Sequence, residues 1–328
     1  ATVVAGDVGG TNARLQLYSS AGELLLDRRY PTAEHATFAG CLSAFLAEVD
    51  AEGIAQPAAA AIAAAGPVAG NACEMTNLGW TVDGDALSSE LFGGAEGAVA
   101  VLNDFEAAGY GVAALVGEAN AAAREDNTLV VHAAEAVEGA PVAVLGPGTG
   151  LGYCTLAWSG ERYSVLPGEG GHASFAPRGA RQRALAASLE ARDGYCEVES
   201  VLCGKGIVSI YEHLKEDLGE SEEPLPVRTP AEVTGAALDG SCRVCLEAVD
   251  IFLEALGAEA GHAALRALCR GGVYVVGGIA PRLKGRLDEV GHLRDGYLYK
   301  ENAKFSELLS TIPLYVVTDT DVGLHGSR

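Results

Sequence analysis

Apolar and polar positions alternate on both sides of an early glycine turn. Thr2-Val-Val-Ala-Gly6 predicts a strand, Asp7-Val-Gly9-Gly10-Thr11-Asn12 a turn, and Ala13-Arg-Leu-Gln-Leu-Tyr18 a return strand. Leu24 to Tyr30 alternates again after the Ala21-Gly22 turn, and Leu42, Phe45, Leu46 and Val49 then fall at helical spacing. Ala58 to Ala65 lies behind Pro57 and ahead of Gly66-Pro67, which predicts a short buried strand. Val99 to Leu102 predicts another, ending at Asn103-Asp104 with a helix after it.

The opening pattern recurs. Val142 to Leu145 reads as a strand, Gly146-Pro-Gly148-Thr149-Gly150-Leu-Gly152 as a turn, and Tyr153 to Trp158 as a return strand. Laid against residues 3–19 the strands and turn coincide, a weak internal repeat that implies two related halves. The stretches 181–192, 198–215, 230–256 and 258–270 show the helical period. Val273 to Val276 predicts a strand with a glycine end at Gly277-Gly278, and Leu314 to Val317 the last strand. Glu220 to Pro226, acidic and with two prolines, reads as a surface loop. A chain of 328 residues with this order suggests two α/β domains or one large unit.

Composition narrows the function. Hydrophobic residues make up 49% and charged residues 20%, enough for a sizeable core. The 22 basic and 44 acidic residues sum to −22, which argues against a nucleic-acid or anionic-membrane binder. A phosphate ligand would approach against that field, so a local device must hold it, such as a glycine turn or a helix N-terminus. The uncharged stretch from Gly53 to Cys73 is broken by Pro57, Gly66, Pro67, Gly70 and Asn71, so it predicts a strand and turn rather than a membrane span. No basic segment with an apolar run precedes Asp7, and no Asn-x-Ser/Thr sequon occurs. Eight scattered cysteines hold one C-x-x-C pair, Cys242 and Cys245, inside a helical pattern. Buried free thiols, no signal peptide and a reducing, intracellular home are the expectations.

The glycine turns carry the candidate chemistry. Neither a G-x-x-x-x-G-K-[ST] nor a G-x-G-x-x-G string occurs, and both glycine turns lead into strands. That excludes P-loop and Rossmann sites, which need a strand-to-helix turn. Asp7-Val-Gly9-Gly10-Thr11-Asn12 instead puts a carboxylate beside bare backbone. Such backbone can approach a polyphosphate, the Thr11 hydroxyl can add a bond, and Asp7 can hold Mg²⁺ through water. Taken alone, either turn reads equally as an ordinary hairpin. Asp104 reads alone as the N-cap of the following helix, Glu169 and His172 as a solvated loop, and Glu199 as an exposed helix face.

Together and in order, these segments identify the chain as a member of a known group. It resembles the bacterial-type glucokinases of the hexokinase–actin–heat-shock ATPase superfamily, from Val3 to about Gly326. The resemblance is carried by the two glycine turns, Leu102-Asn103-Asp104-Phe105, Leu166-Pro-Gly-Glu169-Gly-Gly-His172, Glu199-Ser-Val-Leu-Cys-Gly204 and Val276-Gly277-Gly278.

The resemblance implies two ribonuclease H-like α/β domains around a central cleft, the actin-like ATPase fold. It implies a small domain over 1–106 and a large one over 107–317, and leaves open whether 318–328 return to the first. ATP with Mg²⁺ would be held by Asp7, Gly9, Gly10, Thr11, Asn12, Gly148, Thr149, Gly150, Gly277 and Gly278. Asn103, Glu169, His172, Glu199 and Asn77 would bind glucose, and Asp104 would take the proton of its 6-hydroxyl. Trp80, beside Asn77, reads equally as core. A cytoplasmic homodimer is the family expectation. Side-chain types alone leave mannose, glucosamine or fructose as substrates and ADP or polyphosphate as donors. A non-enzymatic nucleotide switch or sugar sensor is the competing class. Gly170 to Arg181 holds no cysteine, unlike the zinc motif of the related ROK kinases and repressors.

Overall fold

The computed structural model describes residues 2–75, 77–218, 229–289, 291–300 and 302–327. The chain divides into two units, residues 1–114 with 321–328, and residues 115–320. Those divisions fall at 114 and 320, where the sequence suggested 106 and 317.

The first unit opens with β1 (Thr2–Val8), β2 (Asn12–Ser19), β3 (Leu24–Pro31) and α1 (Phe38–Ala51). Then come β4 (Ala59–Ala64), β5 (Val68–Ala69), β6 (Ala72–Met75), β7 (Trp80–Asp83), α2 (Gly84–Leu91), β8 (Val99–Asn103) and α3 (Asp104–Ala113). Five strands form one sheet in the order β3-β2-β1-β4-β8. The first three pair antiparallel, and β1, β4 and β8 run parallel. β5, β6 and β7 make a small antiparallel sheet. α1 buries Phe38, Leu42, Phe45 and Val49 in the core that holds Leu15, Leu17 and Ile62 of the main sheet. Leu42, Phe45, Leu46 and Val49 are the helical spacing the sequence displays, and Phe38 extends the buried stripe by one turn.

The second unit holds α4 (Ala121–Asn127), β9 (Thr128–His132), β10 (Val142–Pro147), β11 (Leu151–Trp158) and β12 (Tyr163–Gly168). α5 (Gly179–Asp193), α6 (Val198–Val201), α7 (Gly204–Leu218), α8 (Pro230–Leu238) and α9 (Arg243–Arg266) follow. It ends with β13 (Val273–Val275), α10 (Ile279–Arg282), α11 (Lys284–Glu289), α12 (His292–Leu298), α13 (Ala303–Ser310) and β14 (Leu314–Val317). Its sheet runs β12-β11-β10-β13-β14-β9. Apart from the added edge strand β9, this repeats the order and strand directions of the first sheet. The internal repeat in the sequence is therefore a repeat of topology. Every residue of β10 is buried, as expected of a central strand covered on both faces.

Four helical boundaries differ from the sequence reading. The 198–215 stretch breaks at Leu202-Cys203, and the Gly204 amide that follows donates to Gly148 O at 2.9 Å. The 230–256 stretch stops at Leu238 and restarts at Arg243, because Gly240 turns at φ +74° and Cys242 caps the new helix through its sulfur. α9 then runs unbroken through Gly257, where a side chain would strike the Leu293 carbonyl of α12. That glycine serves close helix packing rather than a break, and the helix ends at Arg266, short of 270. Glu220 to Pro226 lies outside the described residues.

All eight cysteines are buried and free. Burial pushes the Cys41, Cys196 and Cys269 thiols up to about 11, so they stay protonated and inert near neutrality.

The chain ends in α14 (Val322–Gly326), which packs on α3 of the first unit. Gly111 and Gly326 permit this approach. A side chain at Gly111 would meet the Val322 carbonyl, and one at Gly326 the Ala107 carbonyl.

Candidate active site

Parallel strands deliver their C-terminal ends to one edge of a sheet, and ligands of open α/β sheets bind there. In the first unit that edge holds Asp7-Val8 of β1, Ala64 of β4 and Asn103 of β8. The loop after β1 is fastened from below. Gly9 N donates to Asn12 O at 3.0 Å, Thr32 N to Thr11 O at 3.0 Å, and the Thr32 hydroxyl to Gly10 O at 3.1 Å. Neither Gly9 nor Gly10 has a left-handed φ, and a Cβ on Gly10 would meet nothing within 4 Å. The fold does not need these glycines; their bare backbone is left facing open space.

Asn103, not Asp104, caps α3. Its Oδ1 accepts from Phe105 N at 2.9 Å and Glu106 N at 3.2 Å, while Nδ2 donates to Gly66 O at 3.0 Å. Asp104 is the first helical residue, exposed, with Oδ1 accepting from Phe105 N at 2.9 Å. The cap reading therefore belongs to its neighbour.

Asp7 is exposed, yet desolvation by the surrounding chain, followed by the Asp104 and Asp321 charges, raises its pKa; Arg14 and Arg29 oppose this. Arg14 sits opposite Asp7 in the β1–β2 register and bridges Asp27 at 2.8 Å and Asp321 at 2.7 Å. The mutual repulsion of these carboxylates suits a cation nearby. Among the described residues no group of three or more His, Cys, Asp or Glu could ligate a metal directly. A hydrated Mg²⁺ held by Asp7 needs no such group, so the residues fit it.

In the second unit the corresponding edge holds the loop after β10. Gly148 N donates to Gly150 O at 2.8 Å. Gly277 turns at φ +90°, where a Cβ would lie 2.9 Å from Pro147 O, so this third glycine segment packs directly on the loop. Gly278 and the exposed Thr149 stand beside it.

Glu199 is not an exposed helix face. It is half-buried, its Oε2 accepts from Leu151 N at 2.6 Å, and a side chain at Gly150 would strike its carboxylate. A Cβ at Gly171 would lie 2.6 Å from the Leu151 carbonyl. Leu151 thus links the glycine loop to both Glu199 and the Glu169-Gly-Gly-His172 segment. His172 Nδ1 lies 2.9 Å from Glu197 Oε2, and Nε2 lies 4.0 Å from Glu169 Oε2. The His172 and Glu169 side chains are 54% and 84% exposed, open to a ligand.

The structure thus gathers two sets. Asp7, Gly9, Gly10, Thr11, Asn12, Asn103 and Asp104 lie in the first unit, and Gly148, Thr149, Gly150, Glu169, His172, Glu199, Gly277 and Gly278 in the second. Asn77 is exposed in a turn of the first unit, and its neighbour Thr76 lies outside the described residues. Trp80 is core, 5% exposed with its ring centroid 6.4 Å from that of Phe38.

Sequence reasoning missed Arg14, Asp321 and Glu197. Only Glu197 left a local signal, since its backbone N–H donates to the Ser200 hydroxyl three residues on, a helix-start pattern.

A family model described as Glucokinase matches residues 4–328. The chain belongs to the glucokinase family. The glucokinase of Synechocystis sp. is 36% identical, with 99% of this chain and 96% of that protein covered. The crystal structure of glucokinase from an Antarctic psychrotroph superposes with a TM-score of 0.82 at 28% identity, covering 99% of this chain and 97% of that one. A ROK family glucokinase from Streptomyces griseus, in complex with glucose and AMPPNP, has a TM-score of 0.61 at 18% identity over 100% and 98% of the two chains. That last likeness is one of fold, the actin-like ATPase fold that the repeated sheets display.

In this glucokinase-family chain Glu197 sets the charge of His172. The hydrogen bond that Glu197 accepts from the ring, helped by the charges of Glu199, Glu197 and Glu169, raises the imidazole pKa above 6.5 against an opposing desolvation. A raised value means that pairing is fully present below the ordinary pKa and fades as pH rises through the shifted one. In an NMR titration His172 is expected to change charge above pH 6.5, and Glu197→Gln to bring it down. A ring that titrates identically in both proteins would show that Glu197 does not control it.

Proposed function

We propose that this protein transfers the γ-phosphoryl group of ATP to the 6-hydroxyl of glucose. The observation that carries the reading is an exposed Asp104 at the C-terminal edge of a ribonuclease H-like sheet, in a chain whose family match spans residues 4–328. The similar Streptomyces griseus protein, in complex with glucose and AMPPNP, supports a sugar and a nucleoside triphosphate as the ligand pair.

Gly9 to Asn12, Gly148 to Gly150 and Gly277-Gly278 hold ATP against bare backbone, with Gly9 N and Gly148 N already committed to Asn12 O and Gly150 O. Asp7 would hold Mg²⁺ through water, and a metal there would supply neutralisation of phosphate charge that this acidic chain otherwise repels. Asn103, Asn77, Glu169, His172 and Glu199 take the sugar hydroxyls. Carboxylates and an imidazole suit a polyol because they accept from, or bridge, adjacent hydroxyls. Asp104 accepts the 6-hydroxyl proton as the phosphoryl group passes through a loose transition state. Among the described residues no helix is long and apolar enough to cross a membrane, and a cytoplasmic homodimer fits the family.

A coupled assay for glucose 6-phosphate tests the reading, and ADP release tests mannose, glucosamine and fructose as alternative acceptors. Glucose-dependent product formation is expected; ATP turnover indifferent to sugar would overturn it. Glu169→Gln and His172→Ala should raise the glucose KM by about tenfold or more and leave the ATP KM near wild type. Each removes hydrogen bonds present in both ground and transition states, a loss that appears mainly in KM. A larger rise in the ATP KM would move both residues to the nucleotide.

A further inference from the structure

The two ends of the parallel strands β10, β13 and β14 carry different things. The C-terminal ends carry the glycine segments. At the N-terminal ends lies a cavity of about 1000 Å³. Its walls come from the chain entering β13 and β14, the chain leaving β9, and the segment around Arg124, all within the second unit. Strands of this length separate the two edges by roughly 10–20 Å. The cavity is therefore distinct from the glycine-loop site, and its volume is at the upper end of small-molecule sites.

Charged side chains of both signs line this cavity. Arg124 is fixed in place: Nη1 donates to Leu115 O at 3.3 Å and Gly117 O at 3.1 Å, and the guanidinium carbon lies 5.8 Å from the Tyr315 ring centroid. Tyr315 in turn stacks on the buried Tyr274 at 4.9 Å. A guanidinium already immobilised loses little side-chain entropy when an anion docks. Arg270 is exposed on the same cavity, and its backbone carbonyl accepts from Val137 N at 2.8 Å, which anchors its base. Glu135 and Glu138 also line the cavity, and among the described residues no ion pair joins either one to Arg270. Two guanidiniums that can take an anionic head therefore share one concavity with two carboxylates that can accept from hydroxyls.

We propose that this cavity is a second ligand site that takes a phosphorylated sugar, its phosphate on Arg124 and Arg270 and its hydroxyls on Glu135 and Glu138. A sugar phosphate is also the product class of the phosphoryl transfer proposed above. A site reporting on product level rests on that reading, whereas the binding itself does not.

Calorimetric titration of glucose 6-phosphate into the full chain, saturated with glucose and a non-hydrolysable ATP analogue, tests it. One binding event is expected. Arg270→Ala and Glu138→Gln, both at the cavity rather than the glycine loops, should each weaken it, the first by at least about tenfold, the loss of a charge-assisted contact. Turnover without added product should stay at the wild-type value in both variants. No heat, or equal affinity in wild type and Arg270→Ala, would overturn the site. Inorganic phosphate binding as tightly as glucose 6-phosphate would overturn the sugar component. Arg270-dependent binding in a protein without glucose kinase turnover would sink the kinase reading and leave the site standing.

Discussion

Asp104→Asn is expected to lower kcat by about 10²–10⁴, the usual contribution of a general base. The attacking 6-hydroxyl becomes acidic only late in phosphoryl transfer, and Asn keeps the shape of Asp but cannot accept its proton. The structure makes the test clean. The cap of α3 is Asn103, so the substitution leaves both capping hydrogen bonds in place. Asn at the first helical position can still accept from Phe105 N. The substitution gives up the favourable placement of a negative charge at a helix N-terminus, about 0.3–1 kcal/mol, and relieves the repulsion that Asp104 exerts on Asp7. Chemical denaturation should therefore find a nearly unchanged stability beside a collapsed turnover, and calorimetry a nearly unchanged glucose affinity. Normal turnover would remove Asp104 from the mechanism and leave the kinase reading without its base.

The elements that position Asp104 were legible because their signals are local. A strand, a glycine turn and a return strand can be read within twenty residues, and the recurrence of that pattern after Val142 appears in the structure as the same strand order. The helical breaks were less legible. Apolar spacing continues across Leu202-Cys203 and across residues 239–242, so periodicity alone joins what backbone turns separate. Gly257 shows the converse: a helix-weakening residue in sequence, it is, with Gly296 of α12, where α12 and α9 approach most closely in backbone. Arg14 and Asp321 could not have been paired from sequence, since 2.7 Å in space spans nearly the whole chain. That contact forms because α14 returns to α3, and the glycines that permit the approach, Gly111 and Gly326, do not announce their partner. The family resemblance assigns Glu199 to the sugar and carries no sign of its hydrogen bond to the glycine loop. Nothing in Glu199-Ser-Val-Leu points to a backbone amide forty-eight residues earlier.

That hydrogen bond gives Glu199→Ala a different expected signature from the other sugar-side variants. One carboxylate oxygen, Oε2, accepts from Leu151 N at 2.6 Å and stands where a side chain at Gly150 would have to go. The second oxygen remains for a sugar hydroxyl. Alanine leaves the Leu151 N–H without its acceptor, a loss of about 1–3 kcal/mol, and opens space beside Gly150 into which the loop can relax. Since that loop is assigned to ATP, kcat/KM should fall by about 10–10² for ATP as well as for glucose. Glu199→Gln separates the two roles. Its amide oxygen can still accept from Leu151 N, so the loop keeps its brace and the ATP KM should stay near wild type. The charge that strengthens the hydrogen bond to the sugar is gone, so the glucose KM should rise. Steady-state kinetics with each substrate varied in turn reads both variants. If alanine leaves the ATP KM untouched, Glu199 serves the sugar alone and the brace on the glycine loop is without consequence for nucleotide binding.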